Sequence, residues 1–262
     1  MPSSALHVAR TGLEAQDTRM RVIANNLANI ATTGFKRDRA NFATLAYQDA
    51  RIAGQQSSSE TAYATGLNLG TGVGVQSTTS ITTQGTLSTT GNSLDMALDG
   101  EGYFQVQLPG GKLGYTRAGN FSRSAEGQLV TAQGYPVIPA ITIPEGASAI
   151  TIGADGSVSA LVAGSSAPTE LGQVTLAAFA NPAGMQSLGD NYLAETAASG
   201  PAQIGVAGDG GRGSIRQGML ESSNVNVVEE LVDMIETQRA YEINSKMISA
   251  VDEMLRNANQ TL

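Results

Sequence analysis

The sequence contains no cysteine and no tryptophan, and its only histidine is His7. Without cysteine there are no disulfides and no thiolate metal sites. One histidine cannot build a histidine-based triad or a multi-histidine metal centre, so His7 reads as a solvated or packed helix residue. Aromatic residues supply 5% and charged residues 15% of the 262 positions, against 41% hydrophobic residues and 31 glycines. A core of aliphatics and alanine interrupted by turns follows, which suits many short strands better than a helical enzyme core. The net charge of −8 argues against nucleic acid, which needs a basic face. No apolar run approaches the roughly 18 residues of a membrane span, so no membrane insertion is expected. Arg10, Glu14 and Asp17 break any apolar region in "MPSSALHVARTGLEAQ", which therefore does not read as a cleaved signal. Export by a route that uses no cleaved signal would leave no such trace.

What is present is concentrated at the two ends. Residues 1–40 hold six basic groups (Arg10, Arg19, Arg21, Lys36, Arg37, Arg39) and three acidic ones (Glu14, Asp17, Asp38). Residues 221–262 hold eight acidic and three basic groups. Opposite charge favours pairing of the two ends while contributing little energy.

Each end also carries a seven-residue apolar repeat. Leu6, Leu13, Met20 and Leu27 form one row, and Ala9, Gln16, Ile23 and Ile30 a second one three residues on, the a and d pattern of a coiled coil. This predicts a helix from about Ser4 to Thr32, with Ser3 or Ser4 as cap and Gly34 positioned to end it in a left-handed conformation. Near the other end, Val227, Met234, Tyr241, Ile248 and Leu255 are seven apart, Leu231 joins their face, and Ile235, Ile243, Met247, Val251 and Met254 widen it. Asn226 and Glu229 have the spacing of an N-cap and its N3 partner. Two long heptad helices of opposite charge predict a coiled coil within one subunit, between subunits, or both.

Between the helices, residues 46–66 are polar and read as an extended or loop segment. From about Leu67, short β-branched runs alternate with turn dipeptides such as Asp99-Gly100, Gly110-Gly111 and Asp155-Gly156. The expected fold class is α+β. Residues 1–36 and 219–262 supply the helices of a terminal, coiled-coil-like domain. Residues 37–90 form an extended connecting segment, and residues 91–218 a β-rich outer domain inserted between the helices.

Candidate chemical sites are weak. "GDGGRG", residues 208–213, has dinucleotide-loop spacing but lacks a following helix and places Asp209 near any phosphate, so it reads as a surface turn. Asp95, Asp99, Glu101, Glu126 and Asp155 sit mostly at turns, and no pattern selects the two that a glycosidase needs. Lys36, Arg37 and Arg39 cluster where cations suit a helix C-terminus, and are expected to face acidic groups of the second helix or of a neighbour. No catalytic residue, metal or cofactor is expected.

Three segments resemble one family. "NNLANIATTGFKR", which holds Asn25, Asn26, Leu27, Asn29, Thr33, Gly34 and Phe35, is similar to the N-terminal signature of bacterial flagellar axial proteins, the rod, hook and hook-associated subunits. "DGEGYFQV", with Gly100, Gly102, Tyr103 and Phe104, resembles their recurring strand motif, and "GMLESSNVNVVEELVDMIETQRAYEINSKMI" their C-terminal signature. Chain length, the polar segment after Phe42 and "GYPVIPAITIP" resemble the distal-rod branch more than the longer hook subunits. The resemblance implies a non-enzymatic subunit without cofactors, exported unfolded by the flagellar export apparatus. It would polymerise with itself in the periplasm-spanning rod, meet proximal rod and hook subunits, and turn within ring proteins. It also implies that residues 46–66 touch adjacent subunits. A proximal rod or hook subunit is the alternative within the family. A secreted β-rich adhesin explains the middle but not the matched helices, and a cell-wall hydrolase lacks a catalytic group.

Overall fold

The computed structural model describes residues 2–56, 63–162 and 167–260. The α+β class is as expected: α1 (Pro2–Ala28) and α2 (Val227–Gln260) are the long terminal helices, and the chain between them is built of strands. It divides into two compact units.

The first unit comprises Met1–Leu27, Asp38–Thr79 and Asn226–Leu262. Proline opens α1 at Pro2, where its missing N–H costs no helical bond. Ser4 therefore lies inside the helix, and the Ser3 side chain lies outside the described residues. The helix stops at Ala28, four residues before Thr32. There the Asn29 carbonyl accepts the Thr32 N–H and the Asn29 side chain accepts the Thr32 hydroxyl. A short polar side chain that bonds locally competes with the helix ladder, and β-branched Ile30, Thr32 and Thr33 weaken it further. At α2, Asn226 caps the first turn: its Oδ1 accepts the Val228 N–H at 3.1 Å and its carbonyl accepts the Glu230 N–H. Two two-stranded sheets complete the unit, β1 (Asp38–Thr44) with β4 (Val73–Ser80), and the antiparallel pair β2 (Gln48–Arg51) with β3 (Leu67–Leu69). Part of the 46–66 segment, residues 57–62, lies outside the described residues.

The chain is held to α1 at Gly72. A Cβ there would lie 2.1 Å from the Thr11 hydroxyl, and φ is +118°, so both space and backbone demand glycine.

The second unit comprises Ala28–Arg37 and Ser80–Val225. Its centre is a seven-stranded antiparallel sheet. β5 (Tyr103–Gln107) lies between β6 (Leu113–Thr116) and residues 175–178, and also pairs with Val137–Ile138. Side chains alternate across β5 with the two-residue period of a strand. Phe104 and Val106 enter a large core with Met96, Leu98, Ile141, Leu176 and Ile215. Tyr103 enters a smaller one with Tyr115, Ala177 and Phe179. Phe104 meets Phe121 edge-on at 5.1 Å, and Tyr115 meets Phe179 at 4.8 Å. Gly100 and Gly102 hold φ of +116° and +130° just ahead of β5, and a Cβ on Gly100 would press on Gly213 at 2.8 Å.

Burial pushes the phenols of Tyr103, Tyr115 and Tyr192 above their ordinary range. The folded chain then keeps protons that the unfolded chain loses near pH 10, so stability falls as pH rises beyond about 10. A spectrophotometric titration should show three of the seven tyrosines ionising only together with alkaline unfolding.

Candidate functional site

In the first unit α1 and α2 run antiparallel. The Asn26 amide donates to the Glu230 carboxylate at 3.2 and 3.3 Å, Arg19 pairs with Asp233 at 3.1 Å, and Gly12 packs against Asn244. The buried positions on the two helices include small and polar residues, Ala9, Ala15 and Asn26 on α1 and Glu230 and Thr237 on α2, beside the aliphatics Ile23 and Val251. Gly12, a poor helix residue, leaves room for Asn244, whose amide nitrogen would lie 3.1 Å from a Cβ.

Ala9 and Ile23 of the second expected row, and Val251, lie on the line of contact, and the other expected apolar residues flank it. Leu6, Leu13, Met20 and Leu27 are half-buried, as are Met234 and Ile248. Val227, Leu231 and Tyr241 are exposed, with Ile235, Ile243, Met247 and Met254. Of the expected apolar residues, Ala9, Ile23 and Val251 are buried. Ile30 is half-buried and lies beyond the helix, and the Leu255 side chain lies outside the described residues. The helix pair thus leaves uncovered much of the apolar surface that its sequence provides, a recognised mark of an interaction face.

The asparagines of the N-terminal motif have separate tasks. Asn26 is buried, accepts the Asp38 N–H at 2.9 Å and donates to the Asp38 carbonyl at 2.9 Å, besides reaching Glu230. One amide therefore joins α1, α2 and the start of β1. Asn29 makes the turn that ends α1, whereas Asn25 is exposed.

In the second unit the rest of the motif docks on a buried ion cluster. The Gly34 N–H donates to the Glu221 carbonyl at 2.7 Å, and a Cβ on Gly34 would lie 2.6 Å from the Arg117 backbone. Gly34 is left-handed (φ +67°), but its role is this close approach, not the end of the helix. Asn191 donates to the Thr33 carbonyl at 2.8 Å, and the Phe35 carbonyl accepts the Asn224 N–H. Lys36 donates to the Glu221 carboxylate and to the Thr83 carbonyl. Its partner is thus a residue ahead of α2, not one of the helix. Glu221, fully buried, also accepts the Gly85 N–H at 2.9 Å and Arg117 at 3.2 Å. Arg117 continues to the Gly100 carbonyl at 2.8 Å and lies over the Tyr103 ring. Burial lowers the Lys36 pKa, with Glu221 opposing that shift.

Glu221, Arg117 and Asn224 carry no periodic signal, and only their contacts single them out. Asn224 accepts the Arg37 N–H and donates to the Ile81 and Thr83 carbonyls. The 208–213 segment is a turn, closed by the Gly208 N–H on the Gly213 carbonyl. Among the described residues there is no cluster of three or more His, Cys, Asp or Glu side chains able to hold a metal, and no helix long and apolar enough to cross a membrane.

Both signatures therefore fasten segments within each unit, and the family follows from comparison with known proteins. Residues 6–36 match the flagella basal body rod protein family, residues 97–160 the flagellar hook protein FlgE/F/G D1 domain, and residues 216–261 the flagellar basal body rod FlgEFG protein C-terminal family. The flagellar basal-body rod protein FlgG of Buchnera aphidicola subsp. Acyrthosiphon pisum is 52% identical over 98% of both chains. Caulobacter vibrioides separates two branches: its FlgG is 47% identical over 98% of both chains, its FlgF 34% over 99% of this chain and 98% of its own. The chain belongs to the FlgG family of flagellar basal-body rod proteins. In this FlgG-family chain the N-terminal match ends at Lys36, inside the Glu221 cluster, and the C-terminal match takes in Glu221 and Glu230. Each match therefore supplies one side of a fastener in each unit.

Proposed function

We propose that the chain is a structural subunit that self-assembles helically into the distal rod of the bacterial flagellar basal body and passes motor torque to the hook. The observation that carries this reading is the apolar surface left exposed on the terminal helices of a FlgG-family chain. Burying such side chains between copies contributes about 25 cal/mol per Å², whereas the polar α1–α2 contact contributes little of that kind. The expected rows from Leu6 to Leu27 and from Val227 to Ile248 are the assembly surface in this reading. Its partners are further copies, the proximal rod and hook subunits, the surrounding ring proteins and the export apparatus. Its place is the periplasm-spanning rod. The exposed side chains of Tyr47, Ile52, Leu67 and Leu69 on and beside β2 and β3 support contacts of the 46–66 segment with adjacent subunits. No reacting group is needed.

Purified chain should remain soluble below a threshold concentration and form tubular or fibrous polymers above it, seen by electron microscopy and sedimentation. Leu27→Asp should abolish polymers, and with them rescue of motility in a rod-deficient strain, while the β-rich unit stays folded. Motility restored by that variant would refute the assembly surface as drawn.

A further inference from the structure

The chain contains three Asp-Gly dipeptides, Asp99-Gly100, Asp155-Gly156 and Asp209-Gly210, and no Asn-Gly. In such a dipeptide the glycine nitrogen can attack the carboxyl carbon of the aspartate before it, because glycine has no side chain to hinder the approach. Two freedoms decide whether it does. The carboxyl group must be able to swing onto the main chain, and the glycine N–H must not be committed to another acceptor. The fold distributes these freedoms unequally.

At Gly100 the N–H donates to the Gln84 Oε1 at 3.0 Å, and Arg216 holds the Asp99 carboxylate at 3.0 and 3.2 Å. At Gly156 the N–H donates to the Gly153 carbonyl at 3.0 Å, and the Asp155 carboxylate accepts the Ser157 N–H at 3.1 Å and hydroxyl at 2.7 Å. The bonds from Ser157 also hold the Asp155 pKa below the ordinary carboxylate range, which keeps that carboxyl ionised and a poor electrophile. Asp209-Gly210, in the turn over residues 208–213, has neither restraint. The Asp209 side chain is 83% exposed, and its contact with Arg212 is 3.9 Å long. No described group accepts the Gly210 N–H. Gly208, Gly210 and Gly211 all hold positive φ, and a Cβ on Gly208 or Gly211 would meet nothing within 4 Å. A turn of glycines in open space has ample backbone freedom.

We propose that Asp209-Gly210 is a self-modification site, at which the folded chain converts aspartate to isoaspartate. The Gly210 nitrogen forms a bond to Cγ of the protonated Asp209 carboxyl. The carboxyl hydroxyl and the amide hydrogen leave together as one water, and a five-membered imide remains. Water then adds to the imide carbonyl on the Cα side and breaks its bond to nitrogen. The main chain now runs through Cβ and Cγ, with a carboxylate on Cα. Mass and charge return to their starting values, so no oxidant or co-reactant is needed. Arg212 Nε on the Val206 carbonyl at 3.1 Å and the Gly213 N–H on the Glu101 carbonyl at 2.7 Å pin the turn outside the altered bond. The extra methylene is therefore absorbed in the turn, and the β-rich unit stays folded while the mark accumulates with age.

The full chain, aged folded in warm neutral buffer for weeks, tests this. An isoaspartate methyltransferase with labelled S-adenosylmethionine then esterifies the new carboxylate, and the label is mapped on peptides made at acid pH, where the ester survives. Label should rise with time at residue 209 and exceed that at residues 99 and 155 by about tenfold or more, the effect of a hydrogen bond that must open first. In chain aged in urea the three sites should label to similar extents, because the protecting contacts are gone. Asp209→Glu, which would have to close a larger ring, should lose the label at 209 with circular dichroism and the urea midpoint unchanged. The proposal is overturned by an aged folded chain without label, by equal label at the three sites in the folded chain, or by the same ranking in urea. Label retained at residue 209 in Asp209→Glu would overturn it as well.

Discussion

Replacing Glu221 by alanine is expected to destabilise the β-rich unit by about 3–5 kcal/mol, the cost of removing one partner from a buried charge cluster. The carboxylate is fully buried and receives Lys36, Arg117 and the Gly85 N–H. Without it two cations remain, 8 and 6% exposed along their side chains, with no anion between them. Lys36 can lose its proton, since burial already lowers its pKa, but the Arg117 guanidinium cannot. The Gly85 N–H loses its acceptor as well. Lys36→Met should cost much less, about 1–2 kcal/mol, because Glu221 keeps Arg117 and loses one charge-assisted bond. Urea unfolding followed by tyrosine fluorescence, the chain having no tryptophan, separates the two variants. Equal losses would show that the cluster is not organised around the carboxylate.

These residues also mark where sequence reading stops. The helices and the β-rich middle were legible because their signals are local: heptad spacing, an Asn226 cap, turn dipeptides at the ends of short runs. The Lys36–Glu221 contact spans 185 positions, and nothing in either segment's own pattern connects them. Lys36 announced a cation near a helix end, and a partner on the second helix was the natural expectation. It meets a strand residue instead, because the chain leaves α1 at Ala28 and continues through Asn29 and Gly34 into the second unit.

The helix pair was misleading for a different reason. Apolar periodicity locates the surface that will be buried in the working state, and for an isolated subunit it says nothing about which neighbour buries it. Here the line between α1 and α2 is drawn by Gly12, Arg19, Asn26, Glu230 and Asp233, residues that hydropathy scores as solvent-facing. Most of the apolar row residues sit beside it. Val228 and Val232, 70 and 50% exposed, were absent from the seven-residue row because they lie roughly 100–160° around the helix from Val227 and Met234. A second apolar face on one helix is recognisable only once the first partner is placed.

Asn26→Leu is expected to cost the helical unit about 3 kcal/mol and to abolish polymerisation. Leucine has nearly the same size, so packing changes little, and the loss comes from three hydrogen bonds. The Asp38 N–H and carbonyl each lose their bond to the amide, and the Glu230 carboxylate loses an amide donor. Buried polar groups deprived of a partner cost about 1–3 kcal/mol each, and relaxation around Asp38 returns part of that sum. Helicity measured through a urea titration reports the unit, since α1 and α2 supply the helical signal. Asn26→Asp distinguishes a lost donor from lost shape. It keeps an acceptor for the Asp38 N–H but sets a second carboxylate against Glu230, which raises the folded-state pKa of the pair. Stability tied to such a raised pKa is present at acid pH and is lost as pH rises through the raised value. The deficit of Asn26→Asp relative to the parent chain should therefore be smaller at pH 4 than at pH 7, whereas that of Asn26→Leu, which removes a donor from Glu230 without adding a charge, should change less. A deficit independent of pH in both variants would mean that Asn26 acts through its bonds to Asp38 alone, with Glu230 a bystander.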